Sequence, residues 1–166
     1  MLIRDEIAAD RDAVRRVVSA AFEGHPFSNG REGELVDALR DAGALTLSLV
    51  AEDAGVILGH VAVSPITIDG AALGWFGLGP IAVLPERQGR GAGAALIDAA
   101  LSRLRAADAA GCVVFGDPKY YGRFGFGIYA GLRFAGGPSE LFMALQFGST
   151  IACGAVDYHL AFALVG

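Results

Sequence analysis

Three glycines within five residues, Gly89, Gly91 and Gly93, separate a β-rich run from a segment with helical periodicity. The β-rich run covers residues 71–84, and small apolar residues recur every three or four positions over residues 91–107. Glycine lets the backbone approach a ligand closely, and the free amides at a helix N-terminus attract phosphate. The pattern therefore predicts a strand, a phosphate-binding turn and a helix, in that order.

The elements before this turn predict an antiparallel meander. Residues 1–7 have the pattern of a first strand, and two amphipathic helices are predicted at 10–22 and 32–39. Three β-rich runs follow, at 45–52, 56–68 and 71–84. Asp53-Ala54-Gly55 and Asp69-Gly70 separate these runs and are typical of hairpin turns. Because Pro80 has no amide proton, a bulge is predicted at residues 78–80.

Shorter elements follow the glycine turn and its helix. A buried strand is predicted at 112–115 and a short helix at 118–124, with Asp117 as its cap. Further apolar runs centre on Ile128, Leu145 and Val156. His159 is expected in a C-terminal strand. Cys112 and Cys153 lack metal-ligand spacing, and we expect both to be buried small hydrophobic residues without a disulfide.

Composition narrows the class of protein. With 166 residues, a net charge of −5 and 54% hydrophobic residues, the chain predicts one globular domain over residues 1–166. Its arginines are scattered, which argues against a nucleic-acid partner. Proline and glycine interrupt the most apolar stretch, so we expect no membrane segment. The N-terminus lacks a signal-peptide pattern, and a cytoplasmic protein is expected. A homodimer is compatible with the sequence, which does not define the oligomeric state.

Two motifs resemble those of the GNAT superfamily of N-acetyltransferases. The turn Gln88-Gly89-Arg90-Gly91-Ala92-Gly93 resembles its Gln/Arg-x-x-Gly-x-Gly/Ala signature. Tyr121-Gly122-Arg123-Phe124-Gly125-Phe126 resembles its Tyr-x-x-x-Gly-Phe element. The longer run 116–126, together with 142–145, is similar to the YhbS-like branch. The order of the predicted elements extends the resemblance over nearly the whole chain.

The resemblance implies an α/β (α+β) fold and an activity. The expected fold is a mixed, mainly antiparallel sheet of about seven strands, flanked by helices and splayed between its fourth and fifth strands. The expected reaction is direct transfer of the acetyl group of acetyl-CoA to a primary amine of a small molecule or peptide, without a metal. The implied cofactor-binding residues are Ile81, Ala82, Val83, Gln88, Gly89, Arg90, Gly91, Ala92, Gly93 and Ala94.

Tyr121 is the implied general acid, which would protonate the departing thiolate of coenzyme A. Tyr120 is the alternative because it lies one position earlier in the sequence. The family's glutamate on the fourth strand has no counterpart here, since residues 75–83 contain no acid. The general base is therefore left open.

The acceptor side has weaker candidates. His25 precedes the second predicted helix, and Glu32 and Glu34 lie at its start, which would flank the acceptor groove. A solvated helix surface is the simpler explanation for the two glutamates. Aromatic residues, including Trp75 and Phe27, could line an acceptor pocket, although aromatic side chains in strands usually belong to the core.

Two other functions share some of these features. A catalytically silent acyl-CoA-binding sensor or interaction module would keep the glycine turn and lack turnover. A dinucleotide-binding oxidoreductase is the remote alternative, since Gly89-x-Gly91-x-x-Ala94 satisfies a degenerate fingerprint. A dinucleotide fingerprint should follow its strand directly within a βαβ series, and here three hairpin-linked runs precede it. A turn that only caps the helix would not need three glycines.

Overall fold

The structure, a computed structural model, describes residues 1–26, 28–149 and 152–165. Phe27, considered above for an acceptor pocket, lies outside the described residues. The strands are β1 (Leu2–Asp5), β2 (Leu47–Asp53), β3 (Val56–Pro65), β4 (Thr67–Ile68), β5 (Trp75–Val83), β6 (Gly111–Phe115), β7 (Leu132–Arg133), β8 (Phe142–Gln146) and β9 (Gly154–Asp157). The helices are α1 (Arg11–Phe22), α2 (Glu32–Asp41), α3 (Ala92–Ala106), α4 (Pro118–Tyr121) and α5 (Leu160–Val165).

The predicted mixed, mainly antiparallel sheet is confirmed. In the described residues the main sheet has six strands in the order β1-β2-β3-β5-β6-β8, and only the β5–β6 neighbours run parallel. The three short strands β4, β9 and β7 form a second sheet. The sequence predicts about seven strands in one sheet, whereas the structure divides its strands between two.

Helices cover both faces of the main sheet. Leu96, Ile97 and Leu104 of α3 are buried on one face. Val14 and Val18 of α1 pack on the opposite face, together with Val36 of α2. These residues recur at helical spacing in the sequence, which is why the helices form where the periodicity predicts them.

Both predicted hairpin turns are present. Ala54 and Gly55 have φ values of 50° and 78°, and Asp69 and Gly70 have φ values of 50° and 79°. Two consecutive residues with positive φ match the right-handed twist of the flanking strands. The turns hold β2 against β3 and bring the chain back toward β5.

A bulge occurs in β5 where the sequence predicts one. Val61 of β3 pairs with Ile81, but Val63 pairs with Leu78, so one residue of β3 lies opposite Gly79 and Pro80. The peptide between Gly79 and Pro80 is cis. The extra residue changes the face to which the following side chains point.

Strands β5 and β6 separate soon after they meet. Their paired residues are Trp75 with Gly111, Phe76 with Cys112, and Gly77 with Val113. Past Gly77, β5 continues to Val83 with β3 as its partner, and β6 pairs with β8. The main sheet is therefore split between its fourth and fifth strands, as the family resemblance implies.

Several local predictions need correction. The run at 56–68 divides after Pro65, and the run at 71–84 becomes strand only at Trp75. Ile128 is 62% exposed and lies outside the strands. His159 does not lie in a strand but directly precedes α5, and its Nδ1 accepts a hydrogen bond from the Ala161 amide. Cys112 is buried as expected, whereas Cys153 is exposed.

Within the described ranges, no helix combines the length and apolar character needed to cross a membrane.

Candidate active site

A cavity of about 440 Å³ lies where β5 meets the N-terminus of α3. It is lined by Ile81, Val83, Arg87, Gln88, Gly89, Gly91, Ala92, Gly93, Ala94, Tyr120 and Arg123. Most of the residues implied for cofactor binding are thus brought together. Ala82 points its side chain to the other face, toward α1. Arg90 is exposed and is not among the described residues that line the cavity.

The glycine turn has the geometry of a phosphate cradle. Gly89 and Gly91 have φ values of 77° and 90°, and a Cβ at either position would meet nothing within 4 Å. The Gln88 Nε2 donates to the Val83 carbonyl at 3.1 Å, which holds the turn against β5. The first backbone hydrogen bond of α3 is donated by the Ala95 amide to the Gly91 carbonyl. The amides before Ala95 are free to bind an anion.

Tyr120 and two arginines form the rest of the rim. The Tyr120 hydroxyl lies 2.9 Å from the position that a Cβ on Gly93 would occupy. The Arg123 guanidinium stacks over the Tyr120 ring at 4.7 Å, and Arg87 forms an ion pair with Asp53 at 3.6 Å. Guanidinium groups beside free helix amides suit phosphate oxygens.

Tyr121 lies deeper than Tyr120 and does not line this cavity. It is 9% exposed, and its ring packs edge-on against Phe126 and over Gly116, where a Cβ would be only 2.6 Å from the ring. Burial, with a smaller effect of Tyr120, raises the pKa of Tyr121 to about 12. Burial also raises the pKa of Tyr120, although the nearby Arg123 opposes this. Both phenols remain protonated donors at neutral pH.

The acceptor candidates lie apart from this cavity. Glu32 accepts a hydrogen bond from the Ser28 hydroxyl at 2.5 Å, and Glu34 accepts from Arg31 at 2.6 Å. The His25 ring packs edge-on against Phe22. Trp75 is 3% exposed and packs on Gly111, where a Cβ would lie 2.4 Å from the indole. Its side chain belongs to the core.

A polar network under α2 contains a fully buried histidine. Ser48 Oγ donates to the Glu6 carboxylate at 2.6 Å and lies 2.8 Å from His60 Nε2, and Arg40 donates to Glu6 at 2.5 Å. Since the Ser48 proton is directed to Glu6, His60 Nε2 carries the hydrogen that Ser48 accepts. His60 Nδ1 has no partner among the described residues. Burial lowers the pKa of His60 to about 4, because a second N–H would lack an acceptor.

Sequence reasoning missed two hydroxyl side chains near the split between β5 and β6. Ser64 on β3 is fully buried, and its Oγ has no hydrogen-bond partner in the described part of the chain. The Tyr158 ring lies against Gly77, where a Cβ would be 2.6 Å from ring atom Cε1. An isolated serine in the alternating pattern of β3 is a signal that could have been found. The position of Tyr158 depends on tertiary packing alone.

Among the described residues, no group of three histidine, cysteine or acidic side chains could hold a metal ion.

Comparison with known proteins identifies the family. The acetyltransferase (GNAT) domain family matches residues 3–129. The Escherichia coli protein "Uncharacterized N-acetyltransferase YhbS" is 39% identical over 131 residues, which cover 78% of this chain and 75% of that protein.

Two solved structures have the same fold over nearly their full length. A GNAT family acetyltransferase from Brucella melitensis, in complex with acetyl-CoA, is 51% identical with a TM-score of 0.87 and 97% of each chain covered. The YhbS protein of E. coli, in complex with CoA, is 34% identical with a TM-score of 0.90, covering 99% of this chain and 93% of that one. These similarities argue against the alternative of a dinucleotide-binding oxidoreductase. The chain belongs to the GNAT family of acetyltransferases.

Proposed function

We propose that the protein transfers the acetyl group of acetyl-CoA directly to a primary amine of a small molecule or peptide. The observation that carries this proposal is the cavity between β5 and the α3 N-terminus, with its positive-φ glycines and free amides. The two relatives of known structure bind acetyl-CoA and CoA, respectively, and share the fold. The residues present fit a ligand with a pyrophosphate at one end and an extended arm at the other.

We propose a role for each wall of the cavity. The backbone of Gly89 and Gly91, together with the α3 amides, would bind the pyrophosphate, and Arg87 and Arg123 would approach its oxygens. The free edge of β5 past Gly77, which includes residues 81–83, would pair with the amide groups of the extended arm. Arg90 is proposed to contact phosphate from the exposed side of the turn.

The reaction needs a donor near the sulfur. The amine nitrogen bonds to the carbonyl carbon, and the carbon–sulfur bond breaks with its electron pair on sulfur. Tyr121 is proposed to give its proton to that sulfur, with Tyr120 as the alternative, and the surplus proton of the nitrogen passes to solvent. Burial raises the pKa of Tyr121 to about 12, so its phenol stays protonated at neutral pH and can serve as the donor.

The acceptor is proposed to approach from the α1–α2 side of the sheet. His25, Glu32 and Glu34 lie at that end, and their charges or rings would contact the amine. Trp75 would contribute through the packing of the β5 start. No acid lies on β5, so the amine would lose its proton to another group or to water.

Cofactor binding can be tested by thermal unfolding with acetyl-CoA, CoA, NADH and NADPH side by side. A ligand at 100 times its Kd adds about 2.7 kcal/mol of stability. We expect stabilisation by acetyl-CoA and CoA and none by the nicotinamides. Gly91→Val should abolish the shift, because its side chain would block the turn. Gly55→Val is the matched control, since it combines a similar φ with open space in the β2–β3 hairpin. Nicotinamide stabilisation alone would refute the proposal.

Because β5 carries no acidic residue, a second function is compatible with the site. A silent acyl-CoA-binding module would bind acetyl-CoA and release no free CoA. Thiol release with a panel of small amines, polyamines and peptides separates the two functions. Release with any acceptor supports the transferase, and stoichiometric binding without release from every acceptor supports the silent module.

A further inference from the structure

Tyr158 occupies the point at which the main sheet splits. Gly77 is the last residue of β5 that pairs with β6. A Cβ on Gly77 would lie 2.6 and 3.0 Å from atoms Cε1 and Cδ1 of the Tyr158 ring. Glycine at this position leaves the space that the ring fills. The close contact places the phenol beside the free edge of β5.

The ring enters from the face opposite the cofactor cavity. Gly77 pairs directly with Ser64 of β3, so both residues face the same side of the sheet. His60 shares that side, being four residues before Ser64 in the same strand, and its partner Val50 packs against α1. The cofactor cavity lies on the α3 side. Tyr158 therefore lies on the side from which an acceptor would approach.

Two aromatic neighbours hold the ring in place. Phe134 lies edge-on at 5.0 Å between centroids, and Phe162 of α5 lies at 5.0 Å on a tilted plane. The hydroxyl makes no hydrogen bond to any described residue. Among the described residues, the phenol is thus held in place while its hydroxyl is available to bind a ligand.

Two groups on the α3 side affect the pKa of the Tyr158 phenol. Burial raises the pKa of Tyr158 strongly, and the nearby Cys112 thiol and Tyr121 phenol raise it further. Cys112 and Tyr121 belong to the core between the sheet and α3. Because the ring atom nearest to Gly77 is Cε1, which neighbours the hydroxyl-bearing carbon, the hydroxyl end of the ring lies at the gap between β5 and β6. Its raised pKa keeps it a hydrogen-bond donor.

The buried Ser64 is a second observation that points to a ligand near the split between β5 and β6. Its Oγ is fully buried, and within the described residues it has no partner. An unpartnered buried hydroxyl destabilises the fold, and a bound polar group would relieve this cost. The two hydroxyl residues flank Gly77 on one face of the sheet.

We propose that Tyr158 is a further catalytic residue, whose phenol donates a hydrogen bond to the acetyl carbonyl oxygen from the acceptor side of the split. As the amine nitrogen bonds to the carbonyl carbon, negative charge develops on this oxygen and strengthens the hydrogen bond. Tyr158 keeps its proton throughout, and Tyr121 serves the sulfur. This inference rests on the proposed acetyl transfer.

The decisive test measures the infrared carbonyl band of bound acetyl-CoA labelled with ¹³C in the acetyl group. In the wild-type protein a hydrogen bond from Tyr158 lowers the frequency of this band relative to free acetyl-CoA. In Tyr158→Phe the ring remains and the band returns toward the free value. Tyr129→Phe is the matched control, because its hydroxyl already accepts from the Gln146 amide and lies elsewhere. A band in Tyr158→Phe that keeps the wild-type frequency overturns the inference.

Kinetics provide the second readout. With an amine that the wild-type protein acetylates, Tyr158→Phe should lower kcat by about 100-fold, with little change in KM for acetyl-CoA. A kcat within about twofold of wild type also overturns the inference. A wild-type protein that shows no band for bound acetyl-CoA would overturn the proposed function itself, and the two failures are therefore distinguishable.

Discussion

The buried His60 should make stability depend on pH in a defined window. Its Nδ1 has no partner in the described part of the chain, and protonation would place an unsatisfied N–H in the core. The folded-state pKa is lowered from 6.5 to about 4 by burial, which outweighs the opposing effect of Glu6. The unfolded chain therefore binds a proton near pH 6.5, whereas the folded chain does not. Stability contributed by neutral His60 is present above pH 6.5 and is lost as the pH falls toward about 4.

The magnitude follows from this difference in pKa. A fall from 6.5 to about 4 corresponds to about 3 kcal/mol in the free energy of unfolding. His60→Gln removes the titrating group. Urea unfolding at a series of pH values, followed by fluorescence of the single tryptophan Trp75, measures the effect. Between pH 7.5 and about pH 4 the wild type should lose about 3 kcal/mol more than the variant. Parallel curves for the two proteins would refute the reasoning.

Three further predictions concern the site. Gly77→Ala should crowd the Tyr158 ring and destabilise the fold by about 1–3 kcal/mol, measured by urea unfolding, and an unchanged midpoint would contradict the contact. Gly93→Ala should weaken acetyl-CoA binding in calorimetry by displacing the Tyr120 hydroxyl, and adding Tyr120→Phe should restore affinity. Turnover should not fall at alkaline pH below about 11, because the pKa of Tyr121 is raised to about 12, and a fall near pH 10 would exclude it as the proton donor.

Much of the fold could be predicted because its signals are local. The glycine turn, the helical periodicity of α1 and α3, the two hairpin turns and the bulge at Pro80 each depend on a few neighbouring residues. Asp117 accepts a hydrogen bond from the Lys119 amide at 3.0 Å, as its Asp-Pro sequence predicts. These features form the strand, the turn and the helix that surround the cavity.

The remaining features depend on contacts between distant residues. The division of the strands into two sheets follows from the pairing of β4 with β9, which are far apart in sequence. Leu160 to Phe162 form a helix because α5 packs on α2, and no periodicity long enough to predict a helix exists there. The position of Tyr158 against Gly77 arises from the same packing, so its proximity to the split could not be predicted from sequence.

The bulge in β5 changes which side chains of the strand face the cavity. Leu78 faces α3, and with strict alternation Ile81 would face α1 instead. The additional residue at Gly79–Pro80 reverses the parity, so that Ile81 and Val83 form the cavity wall and Ala82 packs under α1. A strand of the same length without the bulge would exchange these faces and place Ala82 at the cavity. The cavity wall thus depends on the local geometry of one strand as much as on which residues the strand contains.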